Sequence, residues 1–255
     1  MSGAPGESLF ELARIAAEAG RVVMRHYAAG AAARVKADRS PVTDADEEAE
    51  ALILARLAEL FPGVQVVAEE MMAAGAEVVV ASHFFLVDPL DGTREFLTGN
   101  GEFTVNIAEI RDGVPVMGVV HAPAKGRLFV GGLGLGAFEM TGELSNVRAI
   151  TVRPTPSGGM VAVGSRSHND AKTEEFLQQF AVTDFISAGS SLKFCLVAAG
   201  EADLYARAGR TMEWDTAAGQ AVLLAAGGSM TLWSGEPFIY GKPGFENPGF
   251  VARGF

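Results

Sequence analysis

Three acidic strings in this chain have the residue types and spacing to hold hard metal ions. The most informative is Asp88-Pro89-Leu90-Asp91-Gly92-Thr93, directly after the apolar run 84–87. A strand ending in two carboxylates three residues apart, with proline and glycine shaping the turn, directs both acids outward from its end. Magnesium takes oxygen ligands and accepts one or two carboxylates together with substrate phosphate. Gly92 permits close backbone approach, so the N–H groups around Gly92 and Thr93 can face an anion. The second string, Glu69-Glu70, ends the preceding apolar run 64–68. The third centres on Asp215, after Trp214 and at the opening of a helical segment, 216–226. Asp44 lies in the first turn of another helix. Singly, each acid has an ordinary use as an Asx turn, a solvated loop, a helix cap or a complement to a helix dipole. Their joint placement at element ends indicates a metal-assisted site.

The elements that must carry these residues are legible from periodicity. Apolar side chains at Leu9, Leu12, Ala13, Ala16, Val23 and Tyr27 predict a helix over 7–29. A second helix is predicted over 43–61, with Thr43 as N-cap and Pro62-Gly63 as its stop. The period then changes, and 64–68 and 84–87 read as strands. Residues 103–140 read as an antiparallel meander of strands 103–111, 114–122 and 127–130, with a fourth at 137–140. The Asp112-Gly113 pair is a strong hairpin signal. The glycines of 131–136 superficially suggest a nucleotide loop, but no helix follows, so a hairpin turn is expected. Beyond residue 150 strands and helices alternate: 161–165, 170–180, 185–187, 190–199, 202–206, 216–226 and 229–232. The fold class is therefore α/β, with an α+β N-terminal lobe (1–145) carrying most of the metal ligands. An α/β C-terminal lobe (146–255) carries Asp215.

Composition narrows the chemistry. The 255 residues are 49% hydrophobic with a net charge of −11, enough for a core and a poor match to nucleic-acid polymers. An anionic small molecule remains an eligible substrate where metal ions reverse the local sign. Cys195 is the only cysteine, so an intrachain disulfide and a thiolate metal site are both excluded. No apolar run approaches the length of a spanning helix and no secretory signal is visible, so a cytoplasmic location is expected.

As a set and in this order, Glu69-Glu70, Asp88-Pro89-Leu90-Asp91-Gly92-Thr93 and Trp214-Asp215-Thr216-Ala217-Ala218-Gly219 resemble the signature segments of the inositol monophosphatase superfamily. Within it the chain is most similar to the CysQ-type 3′(2′),5′-bisphosphate nucleotidases. That likeness runs through Ser40–Asp46, 100–108, 165–168, 189–197 and Asn247-Pro248-Gly249-Phe250. The resemblance implies a layered α-β-α-β-α fold and a lithium-sensitive phosphatase dependent on two or three Mg2+ ions per site. It further implies a nucleoside bisphosphate substrate, with the 3′-phosphate of adenosine 3′,5′-bisphosphate removed to leave AMP. Carried over by position, Glu69, Asp88, the Leu90 carbonyl, Asp91 and Asp215 are the implied metal ligands. Thr93 and Asp44 are the implied pair that orients and deprotonates water. Gly92, Thr93, His168, Ser190, Lys193 and Arg207 are the implied substrate contacts. Dimers are common in this family, so the resemblance allows a homodimer. The apolar segment 71–83 departs from the pattern at the outer loop of the site.

Two further enzymatic readings stay open, together with one non-catalytic reading. An inositol or sugar phosphatase would keep the fold and change the substrate. A haloacid-dehalogenase-type enzyme would use an aspartate nucleophile, but its two aspartates are separated by one residue, whereas here Pro89 and Leu90 intervene. That spacing favours direct attack by metal-activated water over a phosphoenzyme. A metal- or nucleotide-sensing protein would retain the site without turnover.

Overall fold

The structure is a computed structural model and describes residues 6–30, 33–35, 41–165 and 171–254. In chain order the elements are α1 (Glu7–Ala29), β1 (Arg34–Val35), β2 (Pro41–Val42), α2 (Asp44–Leu60), β3 (Gln65–Ala68), α3 (Glu69–Ala73), β4 (His83–Asp91) and α4 (Thr93–Leu97). Then come β5 (Thr104–Arg111), β6 (Val114–Ala122), β7 (Arg127–Gly132), β8 (Gly136–Thr141), β9 (Asn146–Ile150), β10 (Met160–Gly164), α5 (Ala171–Leu177) and β11 (Val182–Ser187). The chain closes with α6 (Leu192–Ala198), β12 (Leu204–Arg207), β13 (Thr211–Met212), α7 (Glu213–Ala225), β14 (Ser229–Leu232), β15 (Glu246–Asn247) and β16 (Phe250–Arg253).

Strands β3 to β9 form one seven-stranded sheet in sequence order, parallel at β3–β4 and antiparallel thereafter. The second sheet has five strands in the order β11-β10-β12-β16-β14. The large sheet is buried on both faces, which is why its strands read as nearly continuous apolar runs. Along β4, Phe85 and Val87 face the stripes of α1 and α2, built from Leu9, Leu12, Ile15, Ile53 and Leu57. Phe84 and Leu86 face the other way, onto Phe194 of α6 and Ala217, Ala218 and Val222 of α7. The far side of α6 and α7 meets Tyr205, Met230 and Phe250 of the small sheet. Phe176 and Leu177 of α5 cover that sheet's outer face. The result is the five-layered α-β-α-β-α arrangement that the resemblance implies.

Two strand glycines set how deeply α7 lies against the large sheet. A Cβ on Gly118 would stand 2.5 Å from the Ala218 carbonyl oxygen, and one on Gly131 would stand 2.6 Å from Val222 Cα. Neither distance is tolerable, so glycine is required at both crossings. Gly131 and Gly132 therefore belong to β7 and its packing, and the turn at 133–135 closes a hairpin, as expected.

Several boundaries differ from expectation. Glu69 and Glu70 open the short helix α3 rather than end a strand. α7 begins at Glu213, so Asp215 is the third residue of its first turn rather than the N-cap, and it accepts the N–H of the N-cap Met212. β9 and β16 carry no expectation from sequence. β16 lies inside the small sheet, antiparallel to both β12 and β14.

Candidate metal-assisted active site

The acidic turn owes its geometry to a bulge. β4 pairs with β5 so that Asp88 faces Asn106 and Asp91 faces Thr104. Three steps along β4 thus match two along β5. In a regular strand residues 88 and 91 would point to opposite faces; the extra residue restores them to one side. Gly92, at φ 92°, turns the chain directly into α4. A Cβ there would press to 3.2 Å on the Glu102 carbonyl, so the expected role of Gly92 in shaping a close approach has a steric basis.

Each aspartate spends one oxygen on the scaffold. Asp88 Oδ1 accepts the Leu90 N–H at 3.0 Å, and Asp215 Oδ2 accepts the Met212 N–H at 2.8 Å. Asp91 Oδ2 accepts the Ser191 N–H at 2.7 Å. The Ser191 hydroxyl accepts from Asn106 Nδ2 at 2.9 Å and has one proton for two oxygens, the Asp215 carbonyl at 2.6 Å and Asp91 Oδ2 at 3.0 Å. Ser191 and Asn106 are both 1% exposed and were not picked out from sequence. Asn247 of β15 supports the start of α7, donating to the Met212 carbonyl at 2.6 Å and to Thr216 Oγ1 at 3.0 Å.

Negative charge accumulates here. Burial first, and then Glu69, Asp91 and Asp215, push the Asp88 carboxyl well above the usual range. Burial and the Asp91 charge push Asp215 up to about 8. Carboxylates so placed favour protonation unless a cation joins them. Among the described residues no three His, Cys, Asp or Glu side chains close into a cage. The donors are carboxylates at element ends with a backbone carbonyl, at Leu90, beside them. That set fits magnesium, which takes few protein oxygens and keeps positions for water and phosphate.

The water-orienting pair departs from expectation. Asp44 stands at the start of α2 with its side chain 77% exposed, bound to Arg34 Nη2 at 2.8 Å. Thr93 Oγ1 instead lies 3.3 Å from Asp46 Oδ1 and 3.3 Å from the Leu90 carbonyl. Asp46 is 1% exposed, and its Oδ2 accepts from the Thr43 N–H at 2.8 Å and the Thr43 hydroxyl at 2.7 Å. The reason is helical phase: Asp46 shares the buried stripe of Ala49, Glu50, Ile53 and Leu57, whereas Asp44 lies off it. The signal was present in sequence as Thr-x-x-acid, the spacing of a capping box.

The basic residues share a cavity with the acids. Asp91, Gly92, Ser190, Lys193, Arg207 and Asp215 line one cavity of about 120 Å³. Lys193 is 3% exposed, which rules out an ordinary surface charge. Its Nζ donates to the Ser190 carbonyl at 2.6 Å and lies 5.4 Å from the centre of the Tyr205 ring. Burial pulls its pKa down to about 8, with Arg207 acting in the same direction and Asp91 opposing. Ser190, at φ 48°, precedes α6, and its buried hydroxyl finds no partner among the described residues. Arg207 reaches the carbonyls of Gly209 and Arg210 at 3.4 Å. His168 lies outside the described residues. In the apolar segment 71–83, Met72, Val78 and Val80 pack against the core while Val79 is exposed.

Comparison with known proteins gives a consistent picture. Residues 7–249 match the inositol monophosphatase family. The chain is 43% identical over 245 residues to the 3′(2′),5′-bisphosphate nucleotidase CysQ of Escherichia coli K12, covering 95% of this chain and 98% of that protein. The crystal structure of CysQ from Bacteroides thetaiotaomicron superposes with a TM-score of 0.80 at 35% identity, covering 96% of each chain. The extragenic suppressor protein suhB from Bartonella henselae gives a TM-score of 0.78 at 27% identity, over 97% of this chain and 94% of that one.

Proposed function

The chain belongs to the inositol monophosphatase family, and on that premise we propose that it is a magnesium-dependent 3′(2′),5′-bisphosphate nucleotidase. Its substrate is adenosine 3′,5′-bisphosphate, which it hydrolyses to AMP and phosphate. The observation that carries this reading is one cavity lined both by the acids Asp91 and Asp215 and by buried Lys193 with Arg207. A bisphosphate needs both sets of groups; a monophosphate needs only the acids and their metal.

Glu69, Asp88, Asp91, Asp215 and the Leu90 carbonyl would hold the magnesium ions. When bound, such ions neutralise phosphoryl oxygens and lower the pKa of water. Thr93 supplies the geometry of attack. Its hydroxyl proton is within reach of Asp46, leaving the oxygen lone pair to accept from a water in line with the phosphorus. Protons released by that water pass towards the Asp46 carboxylate through Thr93. The N–H groups after Gly92, at the start of α4, are available to an incoming phosphate. Lys193 and Arg207 bind the second phosphate by charge-assisted hydrogen bonds, and the Tyr205 ring limits how far the Lys193 ammonium can move. This supports direct hydrolysis without a phosphoenzyme.

A phosphate-release panel tests the assignment. Adenosine 3′,5′-bisphosphate, inositol monophosphate and fructose bisphosphate are compared with and without magnesium. The expected result is magnesium-dependent release, fastest from the adenosine compound. A preference for inositol phosphate would replace the substrate assignment and leave the phosphatase reading in place.

A further inference from the structure

Glu50 lies one helical turn beyond Asp46 on α2, and the two carboxylates are the buried acids of that helix. Glu50 is 6% exposed. Its Oε2 accepts the N–H of Glu70 at 2.8 Å, and its Oε1 accepts the N–H of Met71 at 2.8 Å. Those N–H groups belong to the first turn of α3, where a helix has no partners of its own. The residue in the local capping position, Ala68, supplies no side-chain bond. The cap therefore comes from another helix, 20 residues away in sequence.

This is an expensive way to cap five residues. A serine or aspartate at position 68 would do it locally, without withdrawing a carboxylate from water. What the long-range cap adds is registration. No residue of α3 is fully buried and only Met71 and Met72 lean against the core, yet its first residue is Glu69, whose charge acts on both Asp88 and Asp215. The same helix that holds the Thr93 hydroxyl through Asp46 holds the Glu69 segment through Glu50.

We propose that Glu50 is a positioning residue for the metal site, its carboxylate pinning the amides of residues 70 and 71 so that Glu69 is held where it would serve beside Asp88 as a metal ligand. The inference rests on the reading of Glu69 as a metal ligand. Glu50 itself touches neither metal nor substrate.

The test uses the full chain and metal alone. Mn2+ is the probe, because it shares magnesium's preference for oxygen ligands, and free ion is counted by its EPR signal without substrate. Glu50→Ala is expected to weaken Mn2+ binding by about 10- to 100-fold, as loss of groups that orient metal ligands does, and Glu50→Gln by less. Hydrogen exchange at the amides of residues 70 and 71 accelerates in parallel. The magnesium concentration for half-maximal activity rises in step, while KM for the bisphosphate at saturating magnesium shifts by less than about twofold. Glu47→Gln removes the same charge from an exposed position on α2 and is expected to leave Mn2+ binding as in the wild type.

Variants whose amides exchange faster but which bind Mn2+ as tightly as wild type would overturn the assignment of Glu50 alone. So would equal weakening by Glu47→Gln, which would make the effect one of general charge. Should Glu50→Ala fail to fold, the near-isosteric Glu50→Gln decides by the same criteria. A wild-type chain that neither binds Mn2+ nor releases phosphate would remove the metal-phosphatase reading and this inference with it.

Discussion

Thr93 Oγ1 and Asp46 Oδ1 stand 3.3 Å apart, although 47 residues separate them in sequence. Asp46 is held from behind by Thr43, whose N–H and hydroxyl both donate to Oδ2. A single carboxylate therefore caps α2 and reaches the residue that would orient the attacking water. Helix start and candidate active site are one piece of structure.

Asp46→Asn should lower kcat by about 10²–10⁴-fold, the usual worth of a general base. Asp44→Asn should change it by less than about twofold, because an exposed pair with Arg34 contributes little. Steady-state kinetics at saturating magnesium separate the two. Equal losses would return the role to Asp44.

Ser191→Ala removes the hydroxyl shared by Asp91 and the Asp215 carbonyl. Asn106 Nδ2 then loses a buried acceptor, which should cost about 1–3 kcal/mol of stability. The magnesium requirement should rise about tenfold, since Asp91 loses an orienting partner. Urea unfolding and a magnesium titration of activity check the two effects independently.

Lys193 gives the substrate preference a pH dependence. Its pKa in the free protein is pulled down to about 8, so the ammonium that would pair with a second phosphate is lost as pH rises through that value. The kcat/KM ratio of bisphosphate over monophosphate should fall above about pH 8. Lys193→Arg should flatten that fall, and Lys193→Ala should reduce the preference by about ten- to a hundredfold. The stability effect has its own sign. The unfolded lysine stays charged up to its ordinary 10.5, so this group's contribution is complete above that pH and is lost as pH falls to about 8.

His121 should limit stability in acid. It packs between β6 and α1, where its Nδ1–H donates to the Ala16 carbonyl at 2.9 Å. Burial pulls its pKa from 6.5 down to about 4. The native state therefore holds the ring neutral: the contribution is complete above pH 6.5 and is lost as pH falls through about 4. The displacement corresponds to about 3 kcal/mol. Unfolding free energies measured across this range should show that slope in the wild type, and His121→Leu should lack it.

Gly118→Ala tests the depth of α7. The added methyl would meet the Ala218 carbonyl and the Ala221 side chain at 2.5 and 2.7 Å. Overpacking of this kind should cost about 1–3 kcal/mol. Asp215 should shift with the helix, so metal affinity is expected to fall together with Tm. A variant as stable as wild type would show that the slot can widen.

Local chemistry explains which features could be read from the residues alone. The long helices announce themselves by stripe and cap, and Asp112-Gly113 marks its hairpin. The acidic turn was readable because proline and glycine frame it. Its bulge was not, since a bulge is defined by the register of β5. β16 has no sequence signal because four residues after Pro248-Gly249 carry little periodicity, and its place between β12 and β14 is set by long-range pairing. Asp44 and Asp46 are equivalent by composition and distinct only by helical phase. Lys193 is named by the resemblance as a substrate contact, but its burial follows only from the packing of α6. Ser191 and Glu50 gave no individual signal, because their partners lie far along the chain.

The helix that carries Asp215 comes late in the sequence yet fills the slot left by Gly118 and Gly131 in the first sheet. A chain severed between β9 and β10 would leave Phe84, Leu86, Ile110, Val120 and Phe129 bare on one fragment. The cover for them would be stranded on the other. Neither fragment is a module that recombination could graft elsewhere. Expressed apart, each should aggregate; expressed together, they should find each other and restore the site, which makes fragment complementation a selectable assay for the middle layer.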